Sequence, residues 1–158
     1  MIFPIWWFFI YPFLWIIALP ANFIIDSLAL LLIAYCWNLK NIKKLYKSSI
    51  LKVWGFWFLA DILGAWFLFL GVNLDDFLWL SYKITNAIAY NPRENWFALI
   101  WTIIALLISW WAIYWLNYIW NFSNLQLAPN QRRYLALRLA IFTAPYLFLI
   151  PLHWLFKY

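Results

Sequence analysis

Two aspartates, Asp26 and Asp61, stand inside long apolar runs where almost every other side chain is hydrocarbon or aromatic. An ionisable group in such a place costs several kcal/mol unless it is paired, hydrated or neutralised. Asp26 precedes Trp37 by 11 residues and Asp61 follows Lys52 by nine. At 1.5 Å per residue the two carboxyls sit roughly 16 and 14 Å from the same ends of adjacent antiparallel helices. They are therefore expected at one depth, near the middle of a bilayer.

Two close carboxylates in a low dielectric cannot both ionise cheaply, so either one retains a proton or a bound cation neutralises both. Asn22, one helical turn before Asp26, could add an amide oxygen to such a site. The surrounding segments rhyme, Phe23-Ile24-Ile25-Asp26-Ser27-Leu28-Ala29 against Phe58-Leu59-Ala60-Asp61-Ile62-Leu63-Gly64. In antiparallel helices that resembles a very short inverted repeat. The competing account is structural: each Asp hydrogen-bonds to Ser, Thr, Tyr or Trp groups on neighbouring helices and fixes packing.

The elements that hold these residues follow from composition. Of 158 residues, 69% are hydrophobic, 25% aromatic and 10% charged, too few charges to coat a soluble core. Apolar runs bounded by charge predict an all-α membrane helix bundle, one integral domain over 1–158, with spans at about 17–37, 53–72, 96–116 and 134–154. The runs lack the polar–apolar alternation of a membrane barrel. Residues 2–15 are expected to form an aromatic interfacial segment. A tight hairpin at Leu19-Pro20-Ala21-Asn22 would instead give five spans. No Lys or Arg precedes the first apolar run, so the N-terminus is read as retained structure and not as a secretory signal.

Charge sets orientation. Lys40, Lys43, Lys44, Lys47 and Lys52 fill the first loop without an acid, and Arg132 and Arg133 with Arg138 flank the fourth span. Both segments are expected on the cytoplasmic side, in the plasma (cytoplasmic) membrane. Lys43, Lys44, Arg132, Arg133 and Arg138 are expected to meet lipid headgroups, with Arg138 snorkelling outward and not reaching an aspartate. The second loop, with Asp75, Asp76 and Glu94 against Lys83 and Arg93, should face outward. Within it Asn73, Asp75 and Asp76 precede Phe77, Leu80, Ile84 and Ile88 at helical spacing, an amphipathic helix on the outer leaflet. Asn91-Pro92-Arg93-Glu94 has the form of a helix cap for the third span.

Small residues suggest where helices touch. Ala136, Ala140 and Ala144 make a stripe on the fourth span, Ala60 and Gly64 a notch on the second, and the two are expected to meet. Pro145 and Pro151 should bend the fourth span and free carbonyls that a neighbour must satisfy. Trp37, Trp54, Trp57, Trp96, Trp120 and Trp154 fall near expected interfaces, whereas Trp66, Trp101, Trp110 and Trp111 lie deeper.

Much chemistry is missing. A single cysteine, Cys36, and a single histidine, His153, exclude an internal disulfide framework and a Cys/His zinc site. No Gly-rich phosphate loop or Ser/His/Asp set is present, and Leu59-Ala60-Asp61 lacks the Gly-x-Gly-Asp signature of intramembrane aspartyl proteases. The expectation is a non-enzymatic protein without metal or other cofactor. The basic residues are too dispersed for a nucleic-acid groove. Partners are then membrane lipids and either further copies of the chain or another membrane protein. Two functions remain open: an assembly or accessory subunit acting through helix packing, or a compact homo-oligomeric transporter or channel with a proton or cation site at Asp26 and Asp61.

Overall fold

A computed structural model describes residues 15–73, 80–125 and 127–155, helical throughout with no strand among them. The helices are α1 (Trp15–Cys36), α2 (Ile42–Asn73), α3 (Tyr82–Tyr90), α4 (Trp96–Leu116), α5 (Pro129–Thr143) and α6 (Leu152–Leu155). Three continuous segments, α1, α2 and α4 with its C-terminal extension, are long and apolar enough to cross a membrane. The chain is an integral membrane helix bundle. The expected interfacial segment before Trp15 lies outside the described residues, as do Asp75, Asp76 and Phe77.

Helix α1 runs unbroken through Leu19-Pro20-Ala21-Asn22, so the described chain contains no hairpin there. Pro20 is only the sixth residue of the helix, where the ring disturbs few preceding carbonyls. The connection from α1 to α2 is short because Asn38 and Asn41 adopt positive φ, 47° and 59°, a region asparagine tolerates better than most residues. The lysine-rich stretch is therefore not a loop. α2 begins at Ile42, eleven residues before the expected 53, because Leu45, Ser49, Ile50 and Val53 form a buried helical stripe while Lys43, Lys44, Lys47 and Lys52 point outward.

The cap of α4 also differs from expectation. Asn91 and Pro92 start a separate 3-10 turn, Pro92–Glu94, in which the Asn91 amide donates to Glu94 Oε1 at 2.7 Å. The N-cap of α4 is Asn95, whose Oδ1 accepts from Phe97 N at 2.9 Å and Ala98 N at 3.3 Å. At its far end α4 passes into a π-helical turn, Asn117–Asn121, and a 3-10 turn, Phe122–Asn124.

The fourth passage is not one helix over 134–154. It starts earlier, at Pro129 in the first helical turn, where proline's missing N–H costs nothing. It then ends at Thr143, because Pro145 cannot donate to Ile141 O. The hydroxyl of Tyr146 donates to that carbonyl instead. A 3-10 turn, Tyr146–Leu149, and α6 complete the passage. At one end Trp37 stacks on Tyr134 with centroids 3.6 Å apart, and at the other the Arg93 guanidinium lies 4.7 Å from the centroid of the Trp154 ring. The broken segment therefore still traverses the bundle, and both basic segments share one end.

Helix α2 is central, packing on α1, α3 and α4, while α5 lies against α1 and α4. Helix α3 turns Thr85, Ile88 and Ala89 inward against α2 and α4 and leaves Tyr82 exposed. One apolar cluster joins α2, α3 and α4 around Leu68, Ile88 and Ile113, and the other joins α1, α2 and α5 around Leu30, Val53 and Leu139 near the basic end.

Candidate functional site

Helix α1 buries a stripe that includes Asp26, Leu30, Ile33 and Ala34, and helix α2 buries one that includes Val53, Trp57, Ala60, Asp61 and Gly64. Both aspartates are thereby turned inward, Asp26 with 1% and Asp61 with 0% of its surface exposed. The two helices that carry them, α1 and α2, pack against each other. All four carboxylate oxygens are sealed from solvent, and none has a hydrogen-bond partner among the described residues. Asn22, one turn before Asp26, is half-buried.

The hydroxyl and indole groups that a purely structural account would assign to the aspartates are engaged elsewhere. Ser109 Oγ donates to Ala60 O at 2.9 Å, Thr143 Oγ1 to Leu139 O at 2.9 Å, and Trp57 Nε1 to Thr143 O at 2.6 Å. Ser27 and Tyr46 share a hydrogen bond of 3.0 Å beside Asp26 in sequence. Each of these contacts repairs a backbone carbonyl or ties one helix to the next. None neutralises a carboxyl, which in a low-dielectric interior is costly for as long as it is ionised and unpaired.

The small-residue positions are all buried, with Ala60, Ala136 and Ala140 at 0% and Ala144 at 7% exposure. Gly64 does not receive the alanine stripe of α5. A Cβ there would meet Ser109 Oγ, Ala105 O at 3.1 Å and Phe148 at 2.9 Å, so the notch is filled by α4 and by the turn beyond the α5 break. Helices α2 and α5 nevertheless join through the Trp57 indole and the Thr143 carbonyl, and Ala140 shares a cluster with Ala60. Trp57 is consequently a buried tie at 5% exposure and not a headgroup anchor.

Among the basic residues, Lys43, Lys44, Arg133 and Arg138 are exposed. The Arg138 guanidinium lies over Tyr134 at 5.2 Å and that of half-buried Arg132 over Tyr118 at 4.5 Å. These contacts hold the guanidinium groups at aromatic faces near the basic end, apart from the carboxyl pair.

A second buried polar group has no counterpart in the sequence reading. Asn117, Asn121 and Ser49 are almost fully sealed where the π-helical turn meets α2. Asn121 Nδ2 donates to Asn117 Oδ1 at 2.9 Å and to Ser49 O at 3.4 Å, and Asn117 Nδ2 to Ile113 O at 2.9 Å. Asn121 Oδ1 and Ser49 Oγ are left without a partner among the described residues. The only sequence signal was the four-residue spacing of the asparagines, which puts them on one helical face. Asn121 also begins an Asn-Phe-Ser glycosylation sequon, but its side chain is buried and bonded.

No family model, curated protein or solved structure matches the chain. The site has to be read from its own chemistry.

Proposed function

We propose that the chain binds a proton or cation at the Asp26–Asp61 pair and works as a compact, homo-oligomeric transporter or channel. The observation that carries this reading is the set of four buried carboxylate oxygens with no protein partner among the described residues. A packing role would call for donors on these acids, and the nearby donors serve backbone carbonyls instead. An exchangeable positive charge supplies what the neighbours do not. Three continuous spans and one broken one give little room for a complete pathway, which favours a second copy. On this reading the protein moves its ligand without covalent chemistry and is not an enzyme.

The positive-inside rule orients the basic end, with Lys43, Lys44, Arg132 and Arg133, toward the cytoplasm of a plasma membrane. Headgroup phosphates are the natural partners of these side chains.

The alternative, an assembly or accessory subunit, finds support on the outer face of α4. There Trp111 and Trp115 stack with centroids 5.5 Å apart while remaining 55% and 45% exposed. The small-residue stripe does not serve that role, because it is consumed inside one subunit.

Reconstitution into liposomes separates the two. Ion or proton flux that falls at least tenfold in Asp26→Asn and in Asp61→Asn supports the transport reading. Absence of flux in the wild type, or flux in both variants unchanged from the wild type, refutes it.

A further inference from the structure

Which positive charge the pair can hold is decided by the supply of oxygen. Calcium takes six to eight oxygen ligands and magnesium an octahedron of six, usually including several waters. The two carboxyls offer four oxygens. One helical turn to either side of Asp61, the buried face of α2 presents Trp57, Ala60, Gly64 and Ala65, and one turn after Asp26 stands Leu30. None of these side chains carries an oxygen. The hydroxyls of Ser109 and Thr143 donate to backbone carbonyls, and half-buried Asn22, one turn before Asp26, brings at most one further oxygen. Among the described residues no group of three or more His, Cys, Asp or Glu side chains could hold a metal.

The other charged and titratable groups on the packed helices stand off. Helix α1 has no further charged residue, and its Tyr35 and Cys36 are exposed near the basic end. On α2, Lys52 is exposed nine residues before Asp61 and Tyr46 is bonded to Ser27. Helix α4 carries no charge, and its Tyr114 stacks between Trp110 and Tyr118. On α5, Arg132 and Arg138 lie over tyrosine rings, and Arg133 is exposed. On α3, Lys83 is exposed, so on these packed helices no described cation is buried with the carboxyls.

Resting on the ion-binding reading above, we infer that the occupant of the Asp26–Asp61 pair is a proton and not a metal cation. A proton needs one lone pair and a second acceptor, not a coordination shell. Uptake converts one carboxylate to a carboxylic acid, forming an O–H bond and halving the negative charge of the pair. With one acid neutral, the pair no longer has to bury two unpaired charges in a low dielectric.

The test is infrared spectroscopy of the full chain in phosphatidylethanolamine–phosphatidylglycerol liposomes at neutral pH. The wild type should show the carbonyl stretch of a protonated carboxylic acid, shifted in heavy water and lost in the Asp26→Asn/Asp61→Asn double variant. Adding sodium, potassium, magnesium or calcium should leave that band unchanged, a titration on the wild type that does not depend on any variant folding. Absence of the band, or its bleaching by one of the four cations, overturns the inference. Carboxyl-dependent flux of a metal cation would overturn it too while leaving the transport reading standing. Loss of all carboxyl-dependent flux refutes transport, and the infrared band then still decides whether the pair holds a proton.

Discussion

Adding one methyl group at Gly64 should loosen the bundle, while the same change at Gly55 on the same helix should tighten it. A Cβ at Gly64 collides with Ser109 Oγ, which is tied to Ala60 O, and comes within 3.1 Å of Ala105 O and 2.9 Å of the Phe148 ring. The carbonyl belongs to the backbone of α4 and cannot swing away, so the two helices must part by some tenths of an ångström. Overpacking of this kind costs about 1–3 kcal/mol. Displacing Ser109 from its carbonyl adds about 1 kcal/mol. Alanine's better helix propensity returns about 1 kcal/mol, for a net loss of about 1–3 kcal/mol. Gly55 has nothing within 4 Å of the corresponding point, so Gly55→Ala keeps the propensity gain, about 1 kcal/mol, without a clash. The two variants should differ by about 2–4 kcal/mol, roughly 30- to 700-fold in the unfolding equilibrium constant. Sodium dodecyl sulfate titration in mixed micelles, followed by circular dichroism, measures this difference. Removing the Ser109 hydroxyl in Gly64→Ala/Ser109→Ala should recover part of the loss, a non-additivity that marks direct contact. Equal stability of Gly64→Ala and Gly55→Ala would refute the α2–α4 contact.

Three further outcomes are expected. A membrane-impermeant maleimide should label exposed Cys36, the single cysteine, in inverted vesicles and not in intact cells, and the reverse pattern would overturn the assigned orientation. Trp57→Phe removes the donor to Thr143 O at the α5 break and should cost about 1–3 kcal/mol in the same unfolding titration, with an unchanged midpoint as the contrary result. At the basic end, Ser49→Ala deletes a buried hydroxyl that has no partner among the described residues and should change stability by less than about 1 kcal/mol, whereas Asn121→Ala breaks two bonds and should cost about 1–3 kcal/mol. Equal costs at the two positions would contradict the hydrogen bonding described.

Sequence patterning placed α1 and α4 closely, 17–37 against Trp15–Cys36 and 96–116 against Trp96–Leu116, because lipid imposes a length on apolar helices. It misjudged α2, where helicity continues past the apolar run into a segment whose lysines face outward and whose Leu45, Ser49 and Ile50 face inward. Hydropathy detects the part of a helix that matches lipid, whereas hydrogen bonding determines where the helix ends. Pro145 was legible as a disturbance, but its result, a stop at Thr143 with Trp57 and Tyr146 bonded to the exposed carbonyls, depends on side chains remote or masked in a linear reading. Within the candidate site, the scarcity of charge singled out Asp26 and Asp61. That no described donor reaches them, and that Gly64 faces Ser109, depends on helix rotation, which single-residue spacing in so uniformly apolar a chain does not encode.

The length of α2 bears on how the protein responds to its lipid. Its 32 residues extend for about 48 Å, well beyond a hydrocarbon core of about 30 Å. From Lys52 to Asn73 the helix covers about 32 Å, so the excess is the lysine-bearing first part, which in the proposed orientation would stand among the headgroups. Such a charged collar would hold Asp61 about 14 Å below the basic face whatever the acyl chain length. A thicker bilayer is then accommodated wholly at the Asn73 end. In the proposed orientation α2 would then act as a built-in ruler: hydrophobic mismatch would lengthen the barrier between the carboxyls and the far leaflet and leave the near side unchanged.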